Sequence, residues 1–244
     1  MLKFMKIKLL LPLVINLITI NFLQAQTNKT AYKKIGKTTV YEIAEKKLFL
    51  FQAGMMIDAD GSPKAYHPVN GKGLDHLANA GHPGNWWALV VDSRGNPIIQ
   101  KDSDPAPGYY ISTTALQDKT KKVDDPNRQV NSESISYIAL PPRLSSNFKL
   151  GDIALVINKK NKKQSYAIFA DVGPADKIGE GSIKLAEALG INSNPKNGGT
   201  TSGIIYVLLK DSGKQKVLNQ EEIEELGKTK LTDKDISDIL KIFE

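Results

Sequence analysis

The stretch AIFADVGPADKIGEGSIKLAEALGI, residues 167–191, changes character three times, and each change marks a structural boundary. The apolar run at 166–170 reads as a buried strand that stops at Asp171. Gly173 and Pro174 then force a turn, since proline presets one turn dihedral and glycine relaxes the steric limits beside it. Glu180 follows between Gly179 and Gly181, whose missing side chains leave room for another molecule to come close to the acid. Ser182 is placed to cap a helix that sets Ile183, Leu185, Ala186 and Leu189 on one face, and Gly190 stops it.

Working outward, short segments rich in β-branched and aromatic residues recur with turn signals between them: KTTVYEIA (37–44), KLFLFQAGMMI (47–57), NWWALVV (85–91), NPIIQ (96–100) and GYYISTTAL (108–116). ISYIALP (135–141), DIALVIN (152–158), KQSYAIFADV (163–172, counting from the preceding lysine) and GIIYVLLK (203–210) complete the set. Many short strands without alternating long helices predict a mainly β protein, a barrel or a sandwich, and argue against a parallel α/β sheet. Besides the helix after Ser182, residues 232–243 carry Ile236, Ile239, Leu240 and Phe243 at helical spacing behind a Thr232/Asp235 capping signature, which predicts a helix packed on the outside. The lysine-rich segments 119–122 and 159–163 read as solvated loop tips, and there is no internal repeat.

At the N-terminus, Lys3, Lys6 and Lys8 precede an apolar stretch at 9–22 and the small-residue site Leu23-Gln24-Ala25, the layout of a signal peptide over residues 1–25. The stretch is broken by Pro12, Asn16 and Asn21 and falls short of the roughly 20 apolar residues of a membrane span, so no membrane association is expected after cleavage. The mature chain reads as a basic lead-in with a first strand at 26–50 and a single domain at 51–244, expected to be a monomer that is secreted, either periplasmic or extracellular. The three leading lysines and a net +4 in residues 26–50 account for the whole formal charge of +7, leaving 51–244 neutral. Within that body, residues 51–118 hold seven Asp against four basic residues, which discounts nucleic acid as a partner. With no cysteine there is no disulfide framework, thiolate metal site or cysteine nucleophile.

Two carboxylates nine residues apart across one tight loop, Asp171 and Glu180, can face one cleft, the arrangement that general acid and base catalysis of glycoside hydrolysis requires. A purely structural role is equally compatible with the local pattern: Asp171 can cap the turn, and Glu180 can serve as a first-turn acid favoured by the helix dipole.

The wider pattern separates these readings. MMIDADGSPKAYHP (55–68), GLDHLANAGHPGNWWAL (73–89), DPAPGYYISTTAL (104–116) and the stretch at 167–191, in that order, resemble the chitosanases of glycoside hydrolase family 75 over about residues 50–210. The resemblance implies a secreted enzyme that cuts β-1,4-linked glucosamine chains internally with inversion, needs no cofactor, and has its catalytic Asp and Glu at Asp171 and Glu180. Ala88 departs from the expected glycine after the tryptophans. The Asp-x-Gly-Pro turn, the later acid and the short Leu/Ala helix are also similar to double-psi β-barrels of lytic and expansin-like wall proteins, which implies a six-stranded double-psi-like β-barrel with additional strands and a few short helices. In that analogy Glu180, flanked by Ile178 and Ile183, is the proton donor and Asp171 the base, although the reverse assignment stays open.

Chitosan is a polycation, so its ammonium groups call for carboxylates in the binding cleft. Asp58, Asp60, Asp75 and Asp104 are the candidates, with His67 beside them and Tyr66, Trp86, Tyr109 and Tyr110 as faces for sugar rings. Each has a plainer reading: Asp58-Ala59-Asp60-Gly61 as a turn, the aromatics as core. No metal is expected, because IDADG lacks the remaining acids of a calcium loop and His67, His76 and His82 match no zinc spacing. Two other functions remain open on the sequence: a non-catalytic carbohydrate or cell-wall binding barrel, and a peptidoglycan-lytic enzyme.

Overall fold

The computed structural model describes residues 29–244, so the signal-peptide reading of 1–25 lies outside the described residues. The strands are β1 (Thr30–Ile35), β2 (Thr38–Ile43), β3 (Leu48–Asp58), β4 (Gly81–His82), β5 (Asn85–Trp86), β6 (Tyr137–Leu140), β7 (Ile153–Asn158), β8 (Gln164–Val172), β9 (Glu180–Ser182) and β10 (Thr200–Leu209). The helices are α1 (Pro142–Ser145), α2 (Ile183–Ala188), α3 (Gln220–Lys228) and α4 (Asp233–Ile242). Strand order runs β3-β10-β7-β8-β6-β9, and β9 returns to pair with β3, closing a six-stranded barrel. The pairs β6–β8 and β3–β9 are parallel and the others antiparallel. β1 and β2 extend the sheet from β3, so the architecture is the mainly β, six-stranded barrel with additional strands and few short helices that the sequence predicts.

Period-two patterning divides the barrel strands between two apolar clusters. Ala154 and Val156 of β7, Ala167 and Phe169 of β8, and Ile204, Tyr206 and Leu208 of β10 join one cluster with Leu185 and Leu189 from α2 and its end. Ile153, Leu155 and Ile157, Tyr166, Ile168 and Ala170, and Ile205, Val207 and Leu209 join the other, which α3 and α4 cover with Ile223, Ile236 and Ile239. α4 carries the expected Thr232/Asp235 capping box, and α3, which the sequence reading passed over, has its own between Asn219 and Glu222. In α3, Gly227 lies directly on the Tyr166 ring, where a Cβ would overlap it.

The central aromatic pair of the first cluster, Phe51 and Tyr206, stacks at 4.6 Å between centroids, and the Tyr206 hydroxyl donates to the Gly54 carbonyl at 2.9 Å. At Gly54 the backbone of β10 comes so close that a Cβ would overlap Thr200. Here β3 passes from its β10 pairing to its β9 pairing, which carries its last residue, Asp58, toward the ends of the neighbouring strands. Three sequence-predicted strands, at 85–91, 96–100 and 108–116, form only the short β5 and isolated bridges such as Leu89 to Ser112 and Ile99 to Tyr110. Turns rich in Gly and Pro cut this region into pieces too short for a continuous ladder.

Candidate active site

Asp171 and Glu180 are placed by the sheet itself. In β8, Asp171 pairs with Ala139 of β6, and Glu180, which opens β9, pairs with the same Ala139 from the other side. Residues paired in register project to one face, so the two acids stand on either side of a methyl group. Glu180 also pairs with Met56 of β3, and Asp58 lies two residues further along that strand, on the same face. Together these side chains line a cavity of about 1200 Å³.

The two acids differ in their hydrogen bonds. Asp171 Oδ1 accepts from the backbone N–H of Val172 at 2.8 Å and of Ala115 at 3.1 Å. Among the described residues Glu180 has no such donor; its carboxylate lies against Gly173, where a Cβ would overlap it. Burial, then the charges of Asp58 and Asp171, push the Glu180 carboxyl well above the usual range, and Lys177 partly offsets them. Burial, then the charge of Asp58, also raises Asp171, while its two backbone donors pull the other way.

Two more carboxylates complete the floor. Asp58 Oδ1 accepts from the Asp60 N–H at 2.8 Å, and burial pushes its carboxyl up to about 6. Asp60 Oδ1 accepts from the Tyr66 hydroxyl at 2.8 Å and from Ser112 Oγ at 3.3 Å, while the Tyr137 hydroxyl donates to the Asp60 carbonyl at 3.0 Å. Burial, then the charges of Asp58 and Asp171, raise Asp60 as well. A set of acids this close retains protons at a pH where free carboxylates have lost them. Among the described residues, Asp58, Asp60 and Asp171 are the one acid or histidine grouping tight enough to share a metal ion, with oxygens within 4.8 Å of one another. Tyr66, Ser112 and three backbone N–H groups already use part of their accepting capacity.

Of the substrate-contact candidates, the structure brings Asp58, Asp60, Tyr66 and Asp75 to the cavity. Tyr66 is buried and spent on Asp60, so it presents no open ring face. Asp75 holds Asn79 Nδ2 with both oxygens, at 3.0 and 2.9 Å. His67, Trp86, Asp104, Tyr109 and Tyr110 are not among the lining residues. His67 packs edge-on to Tyr109 at 4.8 Å, Asp104 closes a turn through the Lys101 N–H, and Trp86 and Tyr110 pack on the first cluster.

Sequence reasoning missed Trp87, which lines the cavity with 58% of its surface exposed and its Nε1–H donating to the Asn79 carbonyl at 2.8 Å. The doublet itself was the signal: when adjacent aromatics leave a strand, one packs inward and the other outward. Tyr137 and the β1–β2 turn were also missed, because they reach the site through contacts between distant segments, and Gly173 reads from the sequence only as a turn residue.

A family model described as fungal chitosanase of glycosyl hydrolase group 75 matches residues 92–239, more than half of the chain, including both acids. No curated protein matches the sequence.

Proposed function

The chain belongs to the fungal chitosanases of glycosyl hydrolase group 75, a family of glycoside hydrolases, and from that premise we propose that it is an endo-acting chitosanase that works with inversion at Asp171 and Glu180. The observation that carries this reading is the shared neighbour Ala139, which sets the two carboxylates on one face, two strand positions apart. Strands lie about 4.8 Å apart, so the acids are separated at the backbone by roughly 9 to 10 Å. Inversion needs roughly 6.5 to 9.5 Å between the carboxyl groups themselves, a spacing that side chains rooted this far apart on one face can adopt.

Glu180 gives its proton to the glycosidic oxygen as the bond to the anomeric carbon breaks, and Asp171 takes a proton from the water that attacks the opposite face. The difference in hydrogen bonding supports these roles. Two backbone donors favour the ionised form of Asp171, whereas at Glu180 burial, nearby carboxylates and the apolar flank of Ile178 and Ile183 favour the protonated form and outweigh the opposing charge of Lys177. Asp58 and Asp60 retain part of their protons within the cluster, and any charge that they or Asp75 carry is negative, which suits a polymer of glucosamine. Export follows from the leading segment 1–25, and no helix among the described residues is long and apolar enough to cross a membrane. A monomer suffices, because both acids come from one chain.

The test is digestion of highly deacetylated chitosan at mildly acidic pH. New reducing ends that appear first as the α anomer are expected, with Asp171→Asn rescued by azide. Glu180→Gln is expected to keep activity toward substrates that carry an activated leaving group. Absence of reducing ends sinks the chitosanase reading, and azide rescue of Glu180→Gln instead of Asp171→Asn reverses the two roles.

A further inference from the structure

The turn joining β1 and β2 lies outside the family-matched residues 92–239, yet Ile35, Gly36, Lys37 and Thr38 line the cavity. The turn is docked. Ile35 is buried in the first apolar cluster, and Gly36, at φ 55°, sits so close to the loop between the two acids that a Cβ would press on the Asp176 carbonyl at 3.1 Å. Lys37 on the turn and Lys177 on that loop are both exposed and both line the cavity. Neither ammonium takes part in a salt bridge among the described residues. Lys196, a third lysine of the lining, differs: its Nζ donates to the Gly71 and Gly73 carbonyls at 3.0 and 2.7 Å and is thereby committed to joining two loops. Asp176 is the carboxylate nearest in sequence to this pair and also lines the cavity.

Resting on the chitosanase reading of the site, we propose that Lys37 and Lys177 form a specificity-determining wall that favours an uncharged N-acetylglucosamine over a protonated glucosamine at the sugar position it faces. The acid floor attracts a cationic sugar wherever it lies in the cleft, but the two ammonium groups repel it on this side alone. An N-acetyl group carries no charge there, and its carbonyl oxygen accepts a hydrogen bond from a lysine. Exposed charges are screened beyond about 8 Å at physiological ionic strength, so the preference is local to one position and sensitive to salt. The β1–β2 hairpin thus tunes the pattern of cutting without holding either catalytic acid.

The experiment is digestion of partially acetylated chitosan, with the residues at both new chain ends identified by mass spectrometry. The parent is expected to enrich N-acetylglucosamine at one of the two new ends. Lys37→Ala and Lys177→Ala each reduce that enrichment, by roughly two- to fivefold from the worth of an exposed charge pair, and the double variant abolishes it. Lys37→Arg keeps it, Lys37→Glu reverses it, and added salt erodes it in the parent but leaves the double variant unmoved. Equal enrichment in the parent and the double variant, or a parent with no bias at either end, overturns the proposal while leaving the chitosanase reading intact. A folded parent that cuts no chitosan overturns both.

Discussion

β7 and the strand ends that carry the acids belong to one hydrogen-bonded sheet, but they put it to opposite uses. All six residues of β7 are buried and five of them are apolar, so its side chains add to stability on both faces. At the ends of β3, β8 and β9 the sheet withdraws Asp58, Asp171 and Glu180 from water, with Asp60 just beyond. Each of these draws on the stability that strands such as β7 supply, since a carboxylate loses hydration and gains like-charged neighbours. The barrel is sturdy in one place so that it can hold mutually repelling groups in another.

The sharpest way to break this contrast is to remove the acids without changing their shape. Asp171→Asn and Glu180→Gln should each lower chitosan hydrolysis by about 10²- to 10⁴-fold, while the melting temperature at neutral pH holds or rises. Asp58→Asn sharpens the stability half of the comparison. Its carboxyl moves from an ordinary 3.8 to about 6 on folding, so the folded state binds more protons than the unfolded one across that window. The Asp58 contribution to stability therefore falls as pH rises from about 4 to about 6 and stays level above. The gap in melting temperature between Asp58→Asn and the parent should open over that window in favour of the variant; a gap independent of pH would count against the burial argument.

On the other side of the comparison, Leu155→Ala removes a fully buried side chain from β7 and should cost about 2 to 5 kcal/mol in urea unfolding, with the anomer of the product unchanged. Gly173→Ala is the smallest and most local change. The added methyl meets the Glu180 carboxylate, so turnover should fall about tenfold through misplacement of the proposed donor, with little change in unfolding. If Gly173→Ala instead melts early with normal turnover per folded molecule, the glycine serves the turn and not the acid.

What the sequence made legible follows the same division. β3, β7, β8 and β10 were readable because their apolar runs are long and bounded by turn signals, and α4 because its cap and stripe agree. The Asp171-to-Glu180 loop was readable because its glycines and acids stand out from an apolar background, and the four quoted motifs named the family. β9 was not, because three residues, Glu180-Gly181-Ser182, carry no periodicity and become a strand only through pairing with both β3 and β6. The N-terminal segment 26–50 reads as a basic lead-in with one strand, and only packing reveals a two-strand hairpin that reaches the cavity. The same holds for the choice between Trp86 and Trp87: both suit a sugar face by residue type, and the ring packed against Tyr110 is distinguished from the exposed one only by the fold.

The position of Ala139 between the two acids has a further consequence. Because adjacent sheet partners fix where the backbones of Asp171 and Glu180 stand, residues 174–178 of the connecting segment are not the spacer between them. Its outer residues, Ala175, Asp176 and Lys177, are all exposed, so exchanging them leaves the backbone positions of both acids in place, with Lys177 alone also acting on the Glu180 charge. On the proposed catalytic reading, the acids and the exposed turn between them are separable parts of one short stretch, and a library randomised at Ala175 and Asp176 tests whether the cutting pattern changes while the anomer of the product does not.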